Sequence, residues 1–241
     1  MRGWSVGIVL SALILAAGGV LSSQLIGDAA RDARQPTRQV TVRGAAERDV
    51  EADVGVWRFS LRVVAPDLSS AQAAIDEDVE QVSLFFAGTP VGEDAVELGQ
   101  LMVTDALANL YRPDNYDPNA RFILDQTVVV RSTGVAALEG AVRKQGALLR
   151  RGVALANGNV RYVFSGLNDV KPALVTEATA AARQSAAQFA ADSGASVGSI
   201  IRASQGYVTI APQAGYEDVG EAGSRFKKVR VVVTIDYELV D

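Results

Sequence analysis

The stretch Val229–Leu239, VRVVVTIDYEL, sends Val229, Val231, Val233, Ile235, Tyr237 and Leu239 to one side of an extended chain. Arg230, Thr234, Asp236 and Glu238 fall on the other side together with the preceding Lys228, and Val232 is the single exception. Successive side chains of a strand point to opposite faces, so this period of two predicts a strand with one buried and one wet face. Ile200–Ala211 is its expected hairpin partner. The connection between them, Pro212–Ser224 (PQAGYEDVGEAGS), is long, acidic and rich in glycine. Loops of that length are functional or mobile, and with no convergent chemistry in it this one is expected to be mobile, or ordered only by a neighbouring subunit.

Outward from that strand, the rest of the chain after Gln39 is patterned as a globular domain. Val40–Gly44 alternates and ends at glycine, which predicts a short strand, and Val50–Val64 predicts a long one that Pro66 breaks. Leu68, Ala71, Ile75, Val79, Val82 and Phe86 recur at spacings of three and four and form one helical stripe, opposite Asp76, Glu77, Asp78 and Glu80. Two strands follow, Val96–Arg112 and Arg121–Ser132, around the turn-rich Pro113–Ala120, and then a helix over Val135–Arg151. Asn157-Gly158-Asn159 carries turn chemistry ahead of a short strand, Val160–Phe164. A long helix from about Val170 to Ser193 presents Leu174, Ala178, Ala181, Ser185 and Phe189, and its many alanines would let it approach a sheet closely. Helices inserted between groups of antiparallel strands predict an α+β domain with about three packed helices.

Composition narrows the chemistry. The 241 residues include neither cysteine nor histidine. Disulfides, thiolate nucleophiles, Cys/His zinc sites, His- or Cys-ligated haem and histidine-dependent triads are therefore excluded. A net charge of −5 argues against a binder of the phosphate backbone, so no nucleic acid is expected. Asp114–Asp125 has the length of a calcium loop, but Tyr116 occupies a ligand position and the turn has no glycine. Glu217, Asp218 and Glu221 lie on the flexible connection, whereas catalytic carboxylates need fixed separations. No glycine-rich phosphate loop or nucleophile elbow is present. No catalytic residue, cofactor or metal is expected.

Two further groups of residues stand out. In Phe164-Ser165-Gly166-Leu167-Asn168-Asp169-Val170-Lys171-Pro172, Gly166 allows a sharp exit from a strand and Asn168 or Asp169 can cap the helix that follows. Pro172 in a first turn would cost little, because that position lacks an intrahelical partner. The alternative reading makes Asn168, Asp169 and Lys171 an anion site at a helix N-terminus, which the charge of Asp169 would oppose. The second group is the basic cluster of Arg225, Lys227, Lys228 and Arg230. It reads as solvated strand residues or as subunit contacts to the acidic loops, with Tyr216, Glu217, Asp218 and Glu221 as the facing candidates.

The segment Phe164–Pro172, continued by Glu177-Ala178-Thr179, Ala182-Arg183, Ala186-Ala187 and Phe189–Gly194, resembles the central signature of the SIMPL (DUF541) family. Val42–Arg48, Ala52-Asp53 with Trp57, Gln205-Gly206 and Lys227–Val231 add to the resemblance, which covers essentially everything after Gln39. The resemblance implies an extracytoplasmic α+β domain, often behind a signal or anchor segment, and a tendency seen in one member to assemble into a large ring. It brings no catalytic residues. A suggested role of bacterial members in oxidative stress could not run through thiol cycling here, because the chain has no cysteine.

Ahead of the domain, Val6–Ile26 (VGIVLSALILAAGGVLSSQLI) carries no charge and as a helix would span roughly 32 Å, the thickness of a bilayer core. It reads as an uncleaved anchor with Trp4 at the interface; the alternative is a signal peptide cleaved near Ala16-Ala17-Gly18. Arg2 precedes the run and Arg31, Arg34 and Arg38 follow it, so charge alone does not orient it. Residues 1–27 are thus expected to be the membrane segment, 28–39 a tether and 40–241 the domain. The expectation is a non-enzymatic, single-pass inner-membrane protein with its bulk in the periplasm. Its partners would be the bilayer through residues 6–26 and further copies of itself; the alternative is an accessory subunit of a larger membrane protein complex.

Overall fold

A computed structural model describes residues 38–108 and 117–241. The expected membrane segment, almost all of the tether, the last four residues of the strand expected over Val96–Arg112 and the Pro113–Tyr116 part of the turn-rich loop lie outside the described residues. Among those described, no helix is long and apolar enough to cross a membrane. The order is β1 (Gln39–Glu51), β2 (Val54–Ala65), α1 (Leu68–Ala87), β3 (Val96–Asp105), β4 (Phe122–Ser132), α2 (Val135–Arg143), α3 (Gly146–Arg150), β5 (Leu155–Val163), α4 (Leu167–Asp192), β6 (Ser196–Gln205), β7 (Thr209–Pro212), α5 (Gly220–Gly223) and β8 (Phe226–Val240). This is an α+β arrangement whose strands form two sheets, ordered β1-β8-β6 with β7 also on β8, and β3-β4-β2-β5. The registered pairs β2–β4, β2–β5, β3–β4 and β7–β8 are all antiparallel.

The chain divides into two units. The larger comprises Arg43–Ala182 and Ser204–Thr234. Its main core follows from the alternation of β2, which buries Trp57, Phe59 and Leu61 against Leu124, Val128 and Val130 of β4. Helix α1 covers them with Ala71, Ile75, Val82, Phe85 and Phe86, and Leu138, Ala141 and Leu148 of α2 and α3 complete the cluster. Trp57 meets Phe59 at 4.7 Å between ring centroids and Phe86 edge-on at 5.9 Å, offset geometries that aromatic quadrupoles favour. Asp67 caps α1, accepting from the Ser70 N–H at 2.9 Å. Leu68 at the head of the expected stripe is exposed instead, because it precedes the turn that reaches the sheet.

Several expectations shift within this unit. The chain passes straight through Gly44 as β1, and the long strand expected over Val50–Val64 breaks at Ala52-Asp53. The helix expected over Val135–Arg151 divides at Lys144-Gln145, where the N–H groups of Lys144 and Gln145 turn back to the carbonyls of Ala141 and Val142. Asn157-Gly158-Asn159 lies inside β5 as a bulge, with Asn157 at φ 53°, so its tolerance of positive φ is used within a strand. The expected partner of β8 splits into β6 and β7 around Gly206, whose N–H donates to the Val232 carbonyl at 2.9 Å.

Gly44 has a different use from the stop expected of it. A Cβ there would lie 2.5 Å from the backbone N of Ala182 and 2.9 Å from its Cβ, and closer still to the Ala178 carbonyl oxygen. The backbone of α4 therefore rests directly on β1, with Leu174, Ala178 and Ala182 buried under it. The stripe expected through Ala181, Ser185 and Phe189 is displaced by one residue, and Phe189 is 60% exposed. The reason is steric: only methyl side chains fit a contact this close, and an α-helix places the bulkier neighbour of each alanine off the contact line.

The smaller unit comprises residues 38–42, Arg183–Ala203 and Ile235–Asp241. Ala186 and Ala190 of α4 are buried in it, as are Val42, Ile235 and Tyr237. Thr41 Oγ1 donates to Asp236 at 2.7 Å, and Ser199 Oγ to Glu238 at 2.9 Å. The fully buried Tyr237 hydroxyl has no hydrogen-bond partner among the described residues.

Two stability measurements check this packing. Gly44→Val forces backbone apart from backbone and should lower the unfolding free energy in urea by about 3 kcal/mol. Tyr237→Phe removes a buried, unpartnered polar group and should leave the urea midpoint unchanged or raise it, by about 1 kcal/mol at most.

Candidate functional site

The signature segment is built around one carboxylate. Asp53, in the break between β1 and β2, accepts the Ser165 N–H at 2.9 Å and the Ser165 hydroxyl at 2.5 Å. These bonds, the hydroxyl first, hold its pKa below the usual 3.8 against the opposing effect of desolvation. The carbonyl of Gly166 then accepts from the N–H groups of Asp169 and Val170 at 3.1 and 3.4 Å, starting α4. Leu167, Asn168 and Asp169 consequently lie inside the first turn, and the expected side-chain cap by Asn168 or Asp169 is replaced by the Gly166 backbone. Asp169 is the acidic residue of that turn, where the helix dipole favours a negative charge. Pro172 falls within the helix, where an ordinary residue would have donated to Asn168, so it costs a backbone bond that a first-turn position would not. Lys171 is half-buried on the next turn.

The C-terminal cluster is also assembled within the chain. Lys227, expected to be solvated or intermolecular, is fully buried, and its Nζ bonds both the Glu221 carbonyl and the Glu221 carboxylate, the latter at 2.9 Å. Lys228 pairs with Glu47 at 3.1 Å, as does Arg230 at 3.0 Å. Arg225 lies between two carboxylates, donating to Glu51 at 2.6 Å and Glu139 at 3.0 Å, with its guanidinium over the Phe226 ring. Burial, followed by the nearby Glu139 charge, pushes the Tyr162 phenol up from its usual 10.

The Pro212–Ser224 connection is therefore ordered by its own chain. The Gln213 N–H donates to the Phe226 carbonyl at 3.0 Å, and the Tyr216 ring lies 5.6 Å from that of Phe226. Glu217 Oε2 turns back to the Gly215 N–H at 2.9 Å. Asp218 and Glu217 lie on the exposed short turn before α5. Patterning showed the charges of this region but not their pairing, because Glu47, Glu51 and Glu139 come from distant parts of the sequence.

A surface that patterning did not single out is β3, the edge of the β3-β4-β2-β5 sheet. Leu98, Met102 and Val103 are each about half exposed, and Leu101 is 37% exposed. The strand bulges between Leu98 and Leu101, where the buried Gln126 side chain donates to the carbonyls of Gly99 and Thr127 at 3.0 and 2.9 Å. Its position at the edge leaves its apolar side chains uncovered. Among the described residues, no group of three or more acidic side chains could hold a metal ion.

Replacing Asp53 tests the junction. Because its folded pKa is depressed, its contribution is complete above the unfolded value of 3.8 and disappears as pH falls through the folded value. Asp53→Asn should therefore cost about 1 kcal/mol at pH 7, and the gap to the wild type should close in urea titrations as the pH drops below about 4.

Residues 40–237 match the profile of SIMPL, described as a protein of unknown function (DUF541). No curated protein shows a significant match to the chain.

Proposed function

The chain belongs to the SIMPL family, and from that premise we propose that it is a non-enzymatic, membrane-anchored periplasmic protein that self-assembles through its SIMPL domain and serves as an envelope scaffold. The observation that carries the assembly reading is the apolar edge strand β3. A free edge offers unpaired backbone groups to another chain, and natural proteins blunt such edges with charge, proline or a cover. Here, apart from the bulge between Leu98 and Leu101, the edge carries little of that protection, and Leu98, Leu101, Met102 and Val103 are exposed together along it. A second copy of the chain would pair this edge and cover its side chains.

The cis pairing of Lys227 with Glu221, and of Lys228 and Arg230 with Glu47, favours β3 over the acidic loop as the contact. The uncharged Val6–Ile26 run supports the anchor, and clustering of these segments in the bilayer would raise the effective concentration of the domains.

Mass photometry of the full chain extracted in mild detergent should give a discrete oligomer at submicromolar concentration. Leu98→Lys combined with Val103→Lys should shift it to monomer while leaving the melting temperature within a few degrees of wild type. A strict monomer in the wild-type protein overturns the self-assembly reading. One or a few copies co-purifying with a different membrane protein, lost on deletion of residues 1–27, would identify an accessory subunit instead.

A further inference from the structure

The outer face of the β3-β4-β2-β5 sheet carries a concentration of positive charge with no counter-ion paired to it among the described residues. Val56 of β2 stands opposite Arg131 of β4 on one side and Arg161 of β5 on the other. Two residues along β2, Arg58 stands between Val129 and Asn159. Cross-strand partners share a face, and strands lie about 4.8 Å apart, so the three arginines surround a patch whose Cα atoms span about 10 Å. They line a recess of about 480 Å³ with Val56, Val129, Val163 and Asn159. All three side chains are exposed, and among the described residues none has an ion-pair partner within 4.0 Å.

The neighbouring positions show that this is not general to the face. Further along the same two strands, Arg62 is paired with Asp125 at 2.7 Å. The carboxylate nearest to the recess by register, Glu97 opposite Val129, makes no ion pair with any of the three. Like charges at adjacent sheet positions are destabilising. In a chain with a net charge of −5, three unpaired guanidinium groups around one concavity mark a place where an anion would be bound.

Their number identifies the anion class. One carboxylate carries one charge and is satisfied by the fork of a single arginine. Three forks around one recess exceed what a single carboxylate can use and match the tetrahedral set of acceptor oxygens that a phosphate group presents. Asn159 adds a neutral amide, and the valines form an apolar floor for whatever the anion is attached to. We propose that Arg58, Arg131 and Arg161 form a binding site for a phosphate-bearing ligand on the outer face of this sheet. The shared chemistry is the phosphate group, whether it belongs to a free phosphate compound or to the headgroup of an anionic lipid.

The test is calorimetric titration of the detergent-extracted full chain with inorganic pyrophosphate, with glycerophosphoglycerol (the deacylated headgroup of an anionic lipid) and with succinate as the carboxylate control. Binding of pyrophosphate alone would assign a free phosphate compound; binding of glycerophosphoglycerol would assign a lipid headgroup. In either case Arg131→Gln with Arg161→Gln should weaken binding at least about tenfold, and Arg161→Lys should weaken it less, because the charge is kept and the fork is lost. Because the three side chains are exposed and mutually repulsive, the melting temperature of the double variant should not fall. A readout independent of any variant is arginine modification by phenylglyoxal, followed by mass spectrometry. Pyrophosphate or glycerophosphoglycerol should protect Arg58, Arg131 and Arg161 while Arg202, exposed in β6, stays reactive. The proposal is overturned if neither phosphate compound binds at millimolar concentration, if binding survives the double variant undiminished, or if succinate binds as tightly.

Discussion

The seating of helix α4 on strand β1 at Gly44 is the constraint on which the region around the signature depends. With the Ala178 carbonyl and the Ala182 backbone N where a Cβ would be, two backbones meet with no side chain between them. That distance dictates alanine at Ala178 and Ala182 and leaves the larger residues of the helix to its flanks. It also requires the helix to start at the right place, since a shift of one residue would turn the alanine line away from the strand. Asp53 and Gly166 set that start. The carboxylate holds Ser165 and the Gly166 carbonyl begins the first turn, so the signature residues act as a positioning device for a helix that could otherwise slide.

The charges of the larger unit are arranged on two different principles. Around β8 almost every cation is matched: Lys227 by Glu221, Lys228 and Arg230 by Glu47, Arg225 by Glu51 and Glu139. Exposed pairs of this kind contribute little individually, but Lys227 is fully buried, and removing Glu221 would leave it without its counter-charge in a dry environment. On the outer face of the other sheet the pattern is reversed, with Arg58, Arg131 and Arg161 unmatched among the described residues beside an apolar floor.

Much of this architecture was legible from the chain itself. The alternation of Val229–Leu239, the alternation that buries Trp57 and Phe59, and the three-four spacing of Ala71, Ile75, Val82 and Phe86 are local patterns, and each became the element expected. The absence of cysteine and histidine removed whole classes of chemistry without reference to any fold. The signature placed the chain in its family because it is contiguous. Errors came where a residue's role depended on something distant. Gly44 looked like a strand end and is a helix contact; Lys227 looked solvated and is buried; Asn157 looked like a turn and forms a bulge.

Sequence by itself therefore determined the class of fold, the family, the charge balance and the excluded chemistry, because these rest on composition and on periods of two and 3.6 that a short window contains. Tertiary structure alone decided which glycine carries a helix, which cation meets which carboxylate, that β3 is an edge, and that Arg58, Arg131 and Arg161 share one recess. Those three arginines stand on three strands and are separated by dozens of residues along the chain. Only the register of β2 between β4 and β5 brings them together, and register is a property of paired strands that no single strand contains.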